Sequence, residues 1–120
     1  MPYLTEEYGN AGTLYTLGRH AENAVFEARC RVADLINASP EQIIFTSGGT
    51  EANNLTFQGV RDYLKQSGKK HIIVSAIEHD SVLKAVESLI KDGFYITYLQ
   101  PESSGGVSPD KVSDVIRKDT

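Results

Sequence analysis

The residues with the clearest chemical potential form a short turn, Ser47-Gly48-Gly49-Thr50, between an apolar run and a helix-compatible segment. Two adjacent glycines let the chain turn tightly and leave main-chain N–H groups open to a ligand. The helix that follows directs the positive end of its dipole at the same place, and the hydroxyls of Ser47 and Thr50 can add donors. The pattern therefore predicts an anion site, most naturally for a phosphate.

The kind of phosphate site is narrowed by what the turn lacks. A P-loop requires a lysine directly after its glycines, and Thr50 and Glu51 stand there instead. A dinucleotide-binding turn requires a third glycine, and this chain has Asn53 in its place. The remaining candidate is one terminal phosphate on a smaller cofactor. A simpler interpretation stays open, in which Gly48 and Gly49 only connect a strand to a helix that Thr50 caps.

A second candidate group is His79, which follows another apolar run, residues 71–76. An imidazole at that position could stack on a flat cofactor ring or move a proton. Ligands of open α/β sheets bind at the carboxyl ends of the strands, so we expect His79 to lie beside the Ser47–Thr50 turn. The alternative is an exposed loop histidine, with Asp80 and Ser81 capping the helix that follows.

These groups must be positioned by alternating helices and strands. Apolar periodicity predicts helices over 20–38, 50–66, about 82–92 and 109–118, and strands over 42–46, 71–76 and 94–99. Ser67-Gly68 and Asp92-Gly93 should end two of the helices, and Ser108 should cap the last one. Residues 1–18 show no period and are predicted to be irregular, which leaves 19–120 as an α/β portion. This order predicts an α/β fold with a mostly parallel sheet.

Composition limits the functional classes. A chain of 120 residues forms one domain at most, and a net charge of −4 without a Lys/Arg block argues against nucleic acid or an anionic membrane as the main partner. No apolar run approaches the length of a membrane span, and the first residues do not resemble a signal peptide. The single cysteine, Cys30, is expected to be buried and structural. We therefore expect a cytoplasmic protein without a metal site.

Several segments together resemble the front part of cysteine desulfurases, the pyridoxal-phosphate enzymes of the class V aminotransferase group. The most specific is Phe45-Thr46-Ser47-Gly48-Gly49-Thr50-Glu51 followed by Asn54, with the pair Glu78-His79 downstream. Weaker similarity covers Tyr8-Gly9-Asn10, Gly18-Arg19, Ala28-Arg29, Val32-Ala33, His71 to Ser75, Val82-Leu83, Gly93 to Leu99 and Gly106 to Thr120. The resemblance spans nearly the whole chain in the order of the family.

The resemblance implies a partial type I transferase large domain that uses pyridoxal 5'-phosphate. It implies that Gly49 and Thr50 bind the phosphate, with Ser47 and Gly48 as further contacts, and that His79 stacks on the ring and helps to move protons. Glu51 and Asn54, which belong to the same string, are assigned to helix capping and packing. The implied reaction takes sulfur from L-cysteine, leaving alanine and an enzyme persulfide, and passes the sulfur to an acceptor protein.

The chain also departs from the family pattern. The early Asn-Ala-Ala-Thr-Thr region is absent, Ala11-Gly12-Thr13 replaces the commoner Pro-Ser-Ser, and Tyr15 stands where many members carry histidine. The family's cofactor lysine, its ring-pairing aspartate and its persulfide cysteine are expected beyond Thr120. We therefore expect the 120-residue chain to be inactive alone. Because its sheet edges would be uncovered, it should associate as a homodimer or with a complementary chain.

Three functional interpretations follow. The first is a cysteine desulfurase, seen here as a fragment. The second keeps the fold and changes the substrate, as in a selenocysteine lyase or another class V aminotransferase. The third is a non-catalytic split subunit or relic that binds a partner chain through its unfinished sheet. The sulfur acceptor stays open, since iron–sulfur cluster assembly, tRNA thiolation and DNA sulfur modification all draw on this family.

Overall fold

A computed structural model describes residues 2–120. The helices are α1 (Pro2–Thr5), α2 (Thr16–Leu35), α3 (Gly49–Gln66), α4 (Asp80–Glu87) and α5 (Pro109–Val115), and the strands are β1 (His71–Ser75) and β2 (Tyr95–Leu99). Two 3-10 turns lie at Pro40–Gln42 and Ile90–Asp92. The chain divides into two compact units, the first ending at Phe45 and the second running Thr46–Thr120.

In the first unit, the segment predicted to be irregular contains α1 and runs directly into α2. Helix α2 begins at Thr16 rather than His20, because the preceding loop packs closely on its first turn. A Cβ at Gly9 would lie 2.4 Å from the Leu17 carbonyl oxygen, and one at Gly18 would lie 2.4 Å from the Thr13 hydroxyl. These two glycines therefore permit the close approach of loop and helix.

Helix α2 ends at Leu35, before the predicted Ala38. Asn37 adopts the left-handed conformation with φ 53, and the Ala38 N–H donates back to the Ala33 carbonyl at 2.9 Å. A reversal of this kind satisfies the last carbonyls and stops the helix. Cys30 on this helix is half-buried and not disulfide-bonded, so the expectation of a buried cysteine is only partly met.

The strand predicted over 42–46 is wrong. Ile43 has extended backbone angles, φ −96 and ψ 123, but it pairs with no strand among residues 2–120. Ile44 and Phe45 are 68% and 48% exposed. A strand forms only where a neighbour supplies the other half of the hydrogen-bond ladder, and the apolar run cannot show whether that neighbour is present. Instead, the Ile43 carbonyl accepts from the Arg29 guanidinium, which lies 5.1 Å from the Phe45 ring centroid.

The second unit is built on a parallel pair of strands joined through α4. Strands β1 and β2 run in register from His71 opposite Tyr95 to Ser75 opposite Leu99. Helix α3 packs on α4, and α5 contacts β2. The buried apolar side chains of this unit come from the strands, from α4 and from the turn after it: Val74, Ala85, Val86, Leu89, Phe94 and Leu99. The arrangement confirms the predicted α/β class and the parallel strand direction.

The boundaries of α3 agree closely with prediction. The helix ends at Gln66, and Gly68 follows in the left-handed conformation with φ 74. Helix α4 is shorter than predicted. It ends at Glu87, and the chain continues through the 3-10 turn to Gly93, where φ is 86. Glycine adopts such positive angles without steric cost, as both predicted helix ends require.

Helix α5 begins as predicted and ends early. The Ser108 hydroxyl caps it by accepting from the Lys111 N–H at 3.3 Å. The helix ends at Val115 rather than Lys118 because the following residues turn back onto the start of β1. There the Asp119 carbonyl accepts from the N–H groups of Lys70 and His71 at 2.9 and 3.0 Å. The tail therefore satisfies donors that a longer helix would leave unpaired.

None of the helices among residues 2–120 has the length and apolar character needed to cross a membrane. Over the same residues, no group of three or more His, Cys, Asp or Glu side chains is placed to hold a metal ion.

Candidate functional site

The start of α3 leaves donors open. Gly48 is its N-cap and supplies no side-chain hydrogen bond, and the first intrahelical bond from a later residue is Ala52 N–H to the Gly48 carbonyl at 3.1 Å. The N–H groups of Gly49, Thr50 and Glu51 precede that bond, so they belong to the group that a helix cannot satisfy internally. A Cβ at Gly48 or Gly49 would meet no atom within 4 Å, which leaves the approach to these donors open.

This geometry corrects two details of the sequence interpretation. Gly48 has φ 164, an extended angle that any residue adopts, so the glycines are not needed for a tight turn. Their contribution is the absence of a side chain over the helix start. Thr50 lies inside the first turn and is not the cap, so the interpretation of Thr50 as a capping residue is wrong.

Ser47 is engaged within the turn itself. Its N–H and its hydroxyl both donate to the Glu51 carboxylate, at 2.6 and 2.7 Å. These bonds, the backbone one first, hold the pKa of the Glu51 carboxyl below its usual value. They fix the turn by tying Ser47, which precedes the N-cap, to the side chain of the third residue of α3. The donors left for a ligand are the first-turn N–H groups and the Thr50 hydroxyl.

His79 is the N-cap of α4 and follows the carboxyl end of β1. Its Nδ1 lies 3.1 Å from the Ser81 amide nitrogen and 2.8 Å from the Ser81 hydroxyl. That hydroxyl also accepts from the Asn53 side-chain amide of α3 at 2.9 Å. Since the Ser81 N–H can only donate, Nδ1 must be the unprotonated nitrogen, and the neutral ring carries its proton on Nε2.

Thr50 and His79 line the same pocket, whose volume is about 290 Å³. This volume lies near the lower end of the roughly 300–1,000 Å³ typical of small-molecule sites. The other lining residues are Asn54, Asp80, Ser81 and Lys84. Helices α3 and α4 both begin at this pocket, so the positive ends of two helix dipoles meet there. The structure therefore favours an anionic ligand.

An ion pair stands at the edge of the same pocket. Lys84 Nζ lies 2.9 Å from Asp80 Oδ2 on an exposed face of α4. The hydrogen bond between them lowers the pKa of the Asp80 carboxyl and raises the pKa of the Lys84 ammonium. The two charges largely offset each other, so the carboxylate does not cancel the attraction of the helix starts for an anion.

The structure thus brings together some of the predicted residues and not others. Thr50 and His79 share one pocket, and Gly49 directly precedes Thr50 in the open first turn. Gly48 and Ser47 lie in the turn before the helix and do not line the pocket. Sequence reasoning missed the pocket roles of Asn54, Ser81 and Lys84. The sequence indicated Ser81 only as a helix cap beside Asp80, and that alternative is wrong because His79 is the N-cap of α4. The contacts from α3 carry no local signal.

A larger cavity of about 440 Å³ lies in the first unit. Its lining is mostly small and apolar, with Glu7 as the one charged side chain: Tyr3, Glu7, Gly9, Ala11, Ala21, Ala24, Val25, Ala28 and Phe45. It contains none of the predicted site residues. The candidate site is therefore not the larger of the two cavities. It is identified by the polar groups that converge on the pocket of Thr50 and His79.

Comparison with known proteins assigns the chain to a family. Residues 1–120 match the family model of aminotransferase class-V. The chain belongs to the class-V aminotransferase family. It is 45% identical over 119 residues to a protein named cysteine desulfurase IscS from Dictyoglomus turgidum. That match covers 99% of this chain and 30% of the relative, in the relative's N-terminal part.

Two solved structures share the fold. DndA from Streptomyces lividans matches with a TM-score of 0.87 and 42% identity, over 98% of this chain and 33% of that one. SspA, solved in complex with cysteine, matches with a TM-score of 0.86 and 37% identity, over 99% of this chain and 34% of that one. The chain therefore spans about a third of the length of its relatives. It contributes an α/β part of the type I transferase fold, as the resemblance implied.

Proposed function

We propose that this chain provides the phosphate-binding and ring-stacking part of a pyridoxal-phosphate-dependent cysteine desulfurase. The observation that carries the proposal is the shared pocket of Thr50, at the open start of α3, and His79, at the start of α4. One group suits a phosphate and the other suits a flat ring. Thr50 and His79 line one small pocket, which suits a cofactor that has both a phosphate and a ring.

The residues fit this cofactor in their chemistry. The N–H groups of Gly49 and Thr50 and the Thr50 hydroxyl are donors at a helix start, which is the environment that a phosphate prefers. The neutral His79 ring offers a flat aromatic face without a charge. When bound, pyridoxal phosphate supplies an electron sink to an amino acid substrate.

The roles of the chain's own residues follow from their positions. Gly49 and Thr50 bind and orient the phosphate, with the turn held in shape by the bonds between Ser47 and Glu51. Gly48 keeps the approach free of a side chain. His79 would hold the face of the ring, and its Nε2 is the nitrogen available to hold a proton at the pocket.

The names of the relatives favour L-cysteine as the substrate. The Dictyoglomus turgidum relative is named a cysteine desulfurase, and SspA was solved with cysteine. A selenocysteine lyase or another class V aminotransferase has no comparable support. A sulfur acceptor protein as partner, a homodimer or a complementary chain, a cytoplasmic location and a role in iron–sulfur cluster assembly belong to the same proposal. They rest on the family resemblance.

Binding of a phosphate-bearing ring tests the proposal directly. Pyridoxine 5'-phosphate has the ring and the phosphate but no aldehyde, so it does not react with the chain's lysines. We expect the 120-residue chain to bind it more tightly than pyridoxine. Thr50→Val keeps the side-chain shape and removes one hydrogen bond to a charged group, worth about 1.5–3 kcal/mol. The dissociation constant should therefore rise about 10- to 150-fold.

The matched control is Thr56→Val on the same helix. The Thr56 hydroxyl donates to the Ala52 carbonyl at 2.9 Å and does not line the pocket. Thr56→Val should bind pyridoxine 5'-phosphate as tightly as the parent chain does. Thr50→Val and the parent chain should have the same affinity for pyridoxine, which lacks the phosphate. Equal affinities for pyridoxine 5'-phosphate and pyridoxine would contradict the proposal.

A further inference from the structure

We infer that Asn53 and Ser81 are positioning residues that hold the His79 imidazole through a hydrogen-bond relay between α3 and α4. The inference rests on the proposed function in one respect, that His79 faces a ring-bearing ligand. The relay itself is a feature of the described chain. It joins the Asn53 amide, the Ser81 hydroxyl and His79 Nδ1 in one line of contacts.

The direction of each hydrogen bond follows from the chemistry of the donors. The Asn53 Nδ2 group can only donate, and it lies 2.9 Å from Ser81 Oγ. The Ser81 hydroxyl accepts this bond and has its own proton left to donate to His79 Nδ1, 2.8 Å away. The Ser81 N–H donates to the same ring nitrogen at 3.1 Å. Two donors from one residue therefore converge on Nδ1.

This convergence fixes the ring in two ways. It holds the plane of the imidazole relative to the first turn of α4, and it keeps the proton of the neutral ring on Nε2. No hydrogen bond to Nε2 is present within residues 2–120, so Nε2 is the ring nitrogen left for a ligand. A ring held in this way loses less freedom when a ligand binds than a ring that rotates freely.

The chain contains an internal comparison for this relay. The Gln58 side-chain amide of α3 donates to the Ser88 hydroxyl at 2.9 Å, which is again an amide-to-serine bond between α3 and the end of α4. The Ser88 hydroxyl then donates to the Ala85 carbonyl at 2.7 Å and does not reach a ring. If the Asn53–Ser81 bond only joined the helices, removing either serine hydroxyl would have the same effect.

The test uses the uniformly ¹⁵N-labelled 120-residue chain, first without any ligand. The parent chain should show the neutral His79 ring as a single Nε2–H tautomer, with a scalar coupling across the bond from the Ser81 amide to Nδ1. In Ser81→Ala, the Nδ1 resonance should move toward that of an imidazole without a hydrogen bond, because only the backbone N–H is left to donate. Asn53→Ala removes the bond that orients the hydroxyl and should move the resonance in the same direction by a smaller amount. Ser81→Thr keeps the hydroxyl and should restore the parent spectrum, and Ser88→Ala should leave it unchanged.

The second readout is the affinity for pyridoxine 5'-phosphate. Ordering one side chain at an interface corresponds to about a 2- to 10-fold change in affinity. Ser81→Ala should weaken binding by that factor, Ser81→Thr should recover it, and Ser88→Ala should bind like the parent. If Ser81→Ala does not fold, Asn53→Ala should weaken binding in the same direction, by a smaller factor.

Two results would overturn the inference. One is an Nδ1 resonance that Ser81→Ala leaves in place or that Ser88→Ala shifts equally. The other is a shifted ring with unchanged affinity in Ser81→Ala, which would show that the relay does not serve binding. Failure of the parent chain to prefer pyridoxine 5'-phosphate over pyridoxine would instead contradict the proposed function. The ring spectrum is recorded without ligand, so the two failures are distinguishable.

Discussion

Replacement of Leu89 by alanine tests whether the core of the second unit supports the candidate site. Leu89 is fully buried and lies two residues after the end of α4, the helix that His79 caps. Its carbonyl accepts from the N–H groups of Asp92 and Phe94, at 2.9 and 3.3 Å, where the chain turns from α4 toward β2. The side chain therefore lies at the junction of helix and sheet.

The magnitude follows from this burial. A buried leucine cut to alanine costs about 2–5 kcal/mol, because the lost transfer energy adds to the cost of the cavity. A unit of about 75 residues has a free energy of unfolding of roughly 4–11 kcal/mol, at about 0.05–0.15 kcal/mol per residue. One substitution should therefore remove a large part of the stability of the second unit. The affected part includes the pocket between α3 and α4.

Urea denaturation followed by circular dichroism measures the effect. With an m-value of about 1–2 kcal/mol/M, the midpoint for Leu89→Ala should fall by roughly 1 M or more. The control is Leu55→Ala on α3, where the side chain is 46% exposed and the helix propensities of the two residues are similar. This change should cost less than about 1 kcal/mol. Equal midpoint shifts for the two variants would refute the assignment of Leu89 to the core.

Three further predictions concern stability and ionisation. Gly59 lies inside α3 in open space, so Gly59→Ala should raise the free energy of unfolding by about 0.5–1 kcal/mol in urea denaturation; a loss of stability would contradict the open environment. The Lys65 hydrogen bond lowers the pKa of Asp92, so its stabilisation is present above the usual carboxyl range and is lost as the pH falls through the lowered pKa. Lys65→Met should therefore flatten the pH dependence of stability below about pH 4, and an unchanged acid profile would exclude the coupling. The pKa of Tyr98 is raised mainly by burial and to a smaller extent by the nearby Glu87 carboxylate. An NMR titration of Glu87→Gln should therefore still find the Tyr98 pKa above its usual value. A return of that pKa to the usual value would make the carboxylate the main cause.

Local signals predicted most of the second unit. Ser67-Gly68 and Asp92-Gly93 mark chain reversals that require a left-handed residue, and both glycines have positive φ. Ser108 caps α5 because a hydroxyl before a proline-initiated helix meets a free N–H of the first turn. These helix ends and this cap are predictable because a few neighbouring residues determine them.

The errors occur where distant residues decide the outcome. The apolar run over 42–46 has the composition of a buried strand but no ladder partner in the described chain. Gln42 ends a 3-10 turn, and Ile43 is extended and unpaired. Helix α5 ends at Val115 because Asp119 satisfies the N–H groups at the start of β1, a contact that no local pattern contains. Periodicity cannot predict an interaction between residues about 50 positions apart.

The candidate site shows the same division. The spacing left the roles of Thr50 and His79 open, and the family resemblance assigned a phosphate to one and a ring to the other. The sequence predicted that they would lie close together, at the carboxyl ends of two strands, although the first of those strands does not form. The pocket confirms that proximity. No contact between Asn53 and Ser81 was predicted, because that contact depends on how α3 and α4 pack. Helix packing is set by the whole unit and not by the motif.

The most direct test of the central claim is where on the chain a phosphate-bearing ring binds. Amide and histidine-ring resonances of the 120-residue chain should be followed as pyridoxine 5'-phosphate is added. We predict that the Gly49 and Thr50 amides and the His79 ring shift together with one dissociation constant. Shifts confined to the cavity of the first unit, or shifts at only one of the two helix starts, would contradict the claim that Thr50 and His79 form a single site.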